Sequence, residues 1–363
     1  MIFELSKTEL EKCKKLLKVK EFNIEAAEFY NDYLTNNFRE ISTAKSEAEW
    51  FEKFNKLEQV NNKVIANCKM NKISKLNTNT FLNDSYYKKI GQIKASEGDW
   101  KFSTYSYAPY EGFVSDELVI DQETFAEHTP ISYFENEFPF FAVTQKDEIW
   151  MSIIPHEINT MKKPIENAHG DVLVLGLGLG YYVFNIASKK NVTSITVIEN
   201  DRKIINLFIK YLLPKFPNQD KIEIVFGDAI SFVKDSPRKY DYVFADIWHN
   251  VGDGEILYLK LKAKEKYRLG IKFDYWIETS ILAMLRRQTL TIFEEWLEGF
   301  TEDDYRQSRN ENDTIINKIY FHHKNTQIKN FNDLHQILTD DSLKLMASKL
   351  FWNFKDLDTN LNE

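Results

Sequence analysis

The chain has 363 residues, of which 43% are hydrophobic and 28% charged, with a net charge of −8 at neutral pH. That composition is ordinary for a globular protein, and the length suits roughly two domains. The acidic balance argues against a general nucleic-acid binder, and the longest apolar stretch, around 172–187, is too short and too rich in glycine to span a membrane.

Met1-Ile-Phe-Glu-Leu-Ser6 shows no basic start followed by an apolar run, so no signal peptide is predicted. Cys13 and Cys68 lie far apart and form no metal-ligand spacing, which predicts a reduced, cytoplasmic setting and no bound metal. Residues 1–99 read as a helical N-terminal region. Ser6 with Glu9 and Ser46 with Glu49 form capping-box patterns, and the segment 23–35, with Phe22, Ile24, Ala27, Phe29, Tyr30 and Tyr33, reads as an aromatic helix. No glycine or proline precedes Gly91. A structural cap or dimer arm is the expected role, with substrate recognition as the alternative; a homo-oligomer stays open.

Residues 100–165 read as a small β-rich lead-in. Phe102, Tyr105 and Tyr107 mark one strand and Glu117–Asp121 a second. Pro139–Thr144 and Glu148–Met151 flank a short loop as a hairpin. A helix is expected near 156–162. His156-Glu157 does not continue to the H-E-x-x-H of zinc proteases, because position 160 is threonine.

The stretch Asp171-Val-Leu-Val-Leu-Gly176-Leu-Gly178-Leu-Gly180 organises the rest. The continuous apolar run Val172–Leu175 predicts a buried parallel strand, and Tyr182, Val183, Ile186 and Ala187 then recur at helical spacing. Strand, glycine turn and helix open a nucleotide-binding βαβ unit. The spacing suits a dinucleotide poorly, because Tyr181 stands where that fingerprint needs a small residue. Further strands are predicted at Ser194–Ile198, Ile222–Phe226 and Tyr242–Ala245. The glycine turn and these strands thus bring Glu199, Asp228 and Asp246 to carboxyl ends, where open α/β sheets bind ligands. Glu199, 23 residues beyond Gly176, is placed to accept both ribose hydroxyl hydrogen bonds. Asp201 is expected to cap the next helix, and Asp253 to start the one after Asp246. A short strand end equally often carries an acid as a mere cap.

The G-x-G-x-G turn resembles that of the class I S-adenosylmethionine (SAM) methyltransferases and of the spermidine synthases, over roughly residues 150–250. The resemblance implies a Rossmann-like α/β domain at 166–330, with a helical tail at 331–363. It implies that SAM or a derivative lies over Gly176, Gly178 and Gly180, that Asp228 reads the adenine amine, and that Ala229 and its neighbours pack on the ring. Asp246 and His249 face the substrate as possible catalytic groups, with a packed or solvent-facing loop histidine as the other reading of His249. Trp248 reads either as a stacking platform or as core.

His156-Glu157 matches two residues of the Tyr-His-Glu segment that spermidine synthases carry about twenty residues before the turn; Pro155 replaces the tyrosine. Those synthases have an aspartate where this turn has Leu179. They also follow the fourth strand with Asp-x-x-Asp-Pro, whereas this chain reads Asp246-Ile-Trp-His-Asn250. These departures favour a methyltransferase-like enzyme with an unknown acceptor. Aminopropyl transfer to a polyamine and a non-catalytic binding module are the alternatives.

Beyond Gly254, a helix over 255–268 carries Lys260, Lys262, Lys264, Lys266 and Arg268. A solvated face is expected, with phosphate contacts to RNA or DNA as the sharper, less favoured reading. Phe273–Ile277 reads as a fifth strand or as the start of a long helix. Ile315–His322 reads as a late strand with His322 and His323 on opposite faces. Asp333–Phe354 reads as a terminal amphipathic helical region.

Overall fold

The computed structural model describes residues 1–32, 43–58, 73–91, 93–306 and 311–351. Tyr33, Cys68 and residues 352–354 lie outside the described residues. In chain order, the elements that build the site are β1 (Trp100–Tyr107), β2 (Phe138–Gln145), β3 (Glu148–Ser152), α1 (Pro155–Asn167), β4 (Gly170–Leu175) and α2 (Tyr181–Ala187). There follow β5 (Val192–Glu199), α3 (Arg202–Leu207), β6 (Ile222–Phe226), α4 (Ala229–Asp235), β7 (Tyr242–Ala245), α5 (Val251–Lys264), β8 (Lys272–Tyr275) and α6 (Glu278–Leu297).

The five later strands form one parallel sheet in the order β6-β5-β4-β7-β8. The order reverses between β4 and its neighbours β5 and β7, which is the switch point of a Rossmann-like α/β fold. Val172–Leu175 of the central strand are at most 2% exposed, as a strand covered on both faces requires. Val174 pairs with Phe244 and Leu175 with Ala245, so β4 and β7 end level.

Ahead of this sheet, β1, β2 and β3 form an antiparallel sheet extended by Ala95–Glu97. The β2–β3 hairpin turns on Lys146 and Asp147, both with positive φ, the geometry of the tight hairpin turns that match strand twist. A bulge between Ile149 and Met151 shifts the register of β3, leaving Trp150 47% exposed. Glu117–Asp121 contributes only the two-residue strand Val119–Ile120.

At the N-terminus the two expected helical segments are one helix, Lys7–Asp32, with no glycine or proline to stop it. Ser6 Oγ accepts the Glu9 N–H at 3.3 Å, but the Glu9 carboxylate accepts from Phe331 N–H at 2.7 Å, so the capping pair ties the two ends of the chain together. Cys13, Leu16 and Leu17 share a core with Leu290, Phe293, Leu334 and Leu338. Ser46 and Glu49 cap Glu47–Glu58, Ile2–Phe3 pairs in parallel with Gln327–Ile328, and Ser74–Leu76 pairs with Ile131–Phe134.

Three later expectations change. Ile315–His322 is helical, within Glu311–His323: Ile315 and Ile319, four apart, are both buried, which is a helical period and not a strand's. The fifth strand and the long helix both exist, as β8 and α6, separated by Ile277 in a left-handed conformation. The lysine-bearing helix begins at Val251 and is not a solvated face throughout. Lys262 is 9% exposed, its Nζ 2.7 Å from Glu265 Oε1, and Arg268 donates to the carbonyls of Val233 and Arg238. Those groups are turned toward protein and not toward a phosphate backbone. The tail holds two helices, Phe331–Ile337 and Asp340–Leu350. Among the described residues no helix is long and apolar enough to cross a membrane.

Candidate active site

The glycine turn leaves β4 with all three glycines at positive φ. At Gly176 the requirement is absolute, because a Cβ there would sit 1.9 Å from the Asp246 carbonyl oxygen. At Gly178 a Cβ would meet the Met151 sulfur at 2.1 Å, and Leu179 N–H points at that sulfur from 3.2 Å. Gly180 does not line the cavity; it caps α2 in a left-handed conformation with its Cα against Phe208. Two residues from the N-terminal region brace the turn from behind: Tyr86 donates to Leu179 O at 2.7 Å, and Tyr181 donates to Asp84 at 3.2 Å.

Above the turn lies a cavity of about 830 Å³. Gly176, Gly178, Glu199, Asp228, Ala229, Asp246 and His249 all line it, so the structure brings these sequence-derived positions to one place. Glu199 ends β5 with Oε1 accepting the N–H groups of Asn200 and Asp201 and Oε2 accepting that of Leu177 at 3.2 Å. The carboxylate is thereby fixed against the glycine turn. Burial pushes its carboxyl above the usual range, opposed by those backbone donors. Asp201 caps α3 as expected and also accepts from Trp100 Nε1 at 2.9 Å.

Asp228 Oδ1 caps α4 by accepting from Ser231 N–H at 2.8 Å, so the cap and the cavity wall are one residue. Asp246 follows β7, its N–H bonded to Leu175 O at 2.8 Å. Burial, and then the Glu199 charge, push its carboxyl up to about 7. Asp253 belongs to the capping box of α5, accepting from the N–H groups of His249 and Asn250. His249 is exposed at the rim, 3.2 Å from Ile149 O and beside the Trp150 ring. Trp248 is 5% exposed, stacked on Tyr275, and its Nε1 has no hydrogen-bond partner among the described residues.

Among the described residues the cavity wall carries six carboxylates, those of Glu157, Glu199, Asp201, Asp228, Asp246 and Asp253, and no lysine or arginine. Four tryptophans, Trp100, Trp150, Trp248 and Trp276, share it. Sequence patterns missed the wall supplied by β3 and α1: the bulge that aims Trp150 and Met151 has no sequence signature, and Glu157 was visible only as part of a His-Glu pair. His156 and Glu157 are both in the wall; burial holds the His156 imidazole below its usual range and drives the Glu157 carboxyl well above its own, with the Asp246 charge adding to the second.

Buried acids of this kind set a pH dependence of stability. Burial pushes Asp246, Glu117 and Glu255 each up to about 7, against roughly 4 for unfolded carboxylates. Between those values the folded state binds more protons than the unfolded one, so stability falls as pH rises through that window. The Tm of the ligand-free protein is expected to drop between pH 5 and pH 8, and Asp246→Asn to flatten the drop. A Tm that rises over that range would contradict the desolvation of these acids.

Residues 153–268 match the family model described as a spermine/spermidine synthase domain. A polyamine aminopropyltransferase of Clostridium botulinum is 28% identical over 163 residues, 41% of this chain and 56% of that protein. One from Escherichia fergusonii is 26% identical over 162 residues, 40% of this chain and 53% of the relative. The chain spans about half the length of the curated relatives it matches. The solved spermidine synthase of Thermotoga maritima superposes with a TM-score of 0.30 at 15% identity, covering 42% of this chain and 59% of that one. The fold follows from the strand order: a Rossmann-like α/β domain on a five-stranded parallel sheet.

The matched domain and the relatives' names overturn the expectation of methyl transfer. With it go SAM as methyl donor and an unknown methyl acceptor as partner. Leu179 and the segment after Asp246 depart from the synthase residues within a stretch that the family model nonetheless matches.

Proposed function

We propose that this chain is a polyamine aminopropyltransferase, moving the three-carbon amine of decarboxylated SAM to a primary amine of a di- or polyamine. The carrying observation is the charge of the cavity: among the described residues its wall has six carboxylates and no lysine or arginine. Both substrates of such a reaction are cations, one a sulfonium with a terminal ammonium and the other an ammonium. An acidic, aromatic-lined cleft attracts them and repels phosphates.

Glu199, held by three backbone donors, is the group proposed to take the ribose hydroxyls, with Asp228 and Ala229 at the adenine end. Asp246 is proposed to receive the proton of the attacking amine. The nitrogen forms a bond to the chain carbon attached to sulfur, the carbon–sulfur bond breaks, and neutral methylthioadenosine leaves. Before the attack the acceptor's ammonium gives one proton to the Asp246 carboxylate, which frees the nitrogen lone pair; the product nitrogen keeps its two remaining protons as a secondary ammonium. A carboxyl near 7 suits that transfer, because base strength and availability of the base form are balanced there. Little else is required of the protein beyond alignment, since the displacement is in line. His249, on the rim, is proposed to border the amine entrance.

The test is release of methylthioadenosine from decarboxylated SAM with putrescine or spermidine as acceptor. Turnover with a diamine supports the proposal; tight methylthioadenosine binding without transfer to any amine would leave a binding module instead. Glu199→Gln is expected to weaken methylthioadenosine binding by about 10- to 100-fold, since bonds to a charged acceptor contribute roughly 1.5–3 kcal/mol. Unchanged affinity by calorimetry would remove Glu199 from the ribose site.

A further inference from the structure

Glu157 stands on the first turn of α1, 6% exposed, and lines the same cavity as Asp246. Its carboxylate makes no hydrogen bond or ion pair among the described residues, and neither does that of Asp246. Most buried carboxylates are paired, because an isolated charge away from water is costly. Here two acids share one cleft with no cation beside them. Helix α1 packs against α2, the helix that follows the glycine turn, with Tyr182 donating to Pro164 O at 3.4 Å. The turn itself offers no acid, because Leu179 is fully buried and outside the cavity wall. The segment after Asp246 offers none at the position of His249, which is held at the rim by Ile149 O.

We propose that Glu157 is a substrate-binding residue that holds the terminal ammonium of the donor's three-carbon chain, and so selects the decarboxylated donor over SAM itself. The proposal rests on the aminopropyl reading above. An ammonium held by Glu157 and Asp246 offsets one of their two negative charges and can donate to both carboxylates. SAM carries a carboxylate on the carbon that bears this amine, and in the cleft that carboxylate would meet two acids with no arginine or lysine among the described wall residues to offset them. The acid that the glycine turn and the fourth-strand segment lack is thus supplied from a helix earlier in the chain.

Calorimetry on wild type and Glu157→Gln, with decarboxylated SAM, methylthioadenosine and SAM as ligands, tests it. Methylthioadenosine has the nucleoside and sulfur without the amine. In Glu157→Gln, affinity for decarboxylated SAM is expected to fall at least about tenfold, the loss of one charged bond. Methylthioadenosine affinity should stay within about twofold, so the preference for decarboxylated SAM over SAM narrows by the same tenfold. Its Tm should not fall, because the substitution keeps the shape and removes a buried carboxyl that has no hydrogen-bond or ion-pair partner among the described residues. Equal losses for decarboxylated SAM and methylthioadenosine, or no loss for either, would overturn the role of Glu157 while leaving the aminopropyl reading intact. A wild type that binds methylthioadenosine but shows no preference for decarboxylated SAM over SAM and no transfer would overturn the reading itself.

Discussion

Asp246→Asn is expected to reduce kcat/KM for aminopropyl transfer by about 10²- to 10⁴-fold, the range general-base catalysis supplies. The substitution keeps the side-chain shape and leaves the backbone in place, because Asp246 N–H is bonded to Leu175 O and its carbonyl packs on Gly176. What it removes is the proton acceptor. In the wild type, kcat/KM should climb with pH through about 7 as Asp246 ionises in the free enzyme. Glu157, Glu199, His156 and His249 share the cavity and will modulate that limb, but only loss of Asp246 should abolish it. Methylthioadenosine release measured from pH 6 to pH 9 decides the matter: a variant within tenfold of wild type, with the same limb, would take Asp246 out of the chemistry.

The second large effect is structural. Gly176→Ala is expected to destabilise the protein by roughly 3 kcal/mol or more, combining a strained backbone with a close clash. Its φ is 97°, and the new methyl would lie 1.9 Å from the Asp246 carbonyl oxygen, which is backbone and has no way to swing aside. The relief must come from prying β4 and β7 apart at their carboxyl ends, which is where the cavity opens. Gly178→Ala is a contrast, since its obstacle is the end of the flexible Met151 side chain. Chemical denaturation should show a lowered midpoint for Gly176→Ala and a smaller shift for Gly178→Ala. Equal stability of Gly176→Ala and wild type would mean the turn relaxes without moving β7.

The α/β domain was legible because its signals are local. Val172–Leu175 form a continuous apolar run, the glycines alternate, and each following strand closes on an acid, all within a few residues. The caps at Asp201 and Asp228 are equally local, since a cap acts two or three residues down its own helix. Misreadings came where packing chose between periods: Ile315 and its β-branched neighbours suit a strand, yet burial at every fourth residue made them helical. Lys262 was read as solvated for the same reason, its partner Glu265 and the neighbouring Glu278 being placed by a 3₁₀ turn and by α6.

By itself, then, the sequence determined the Rossmann-like domain, the glycine turn and the acids at its strand ends, because strand, turn and cap preferences depend on neighbours along the chain. Tertiary structure alone decided what faces those acids. The bulged strand β3 lays Met151 on Gly178, α1 brings Glu157 into the same cavity wall as Asp246, and Asp84 and Tyr86 brace the turn from a region whose sequence carries no chemistry. Whether a carboxylate meets a cation, water or another carboxylate depends on which distant segments fold over it, and that is fixed only when the chain packs.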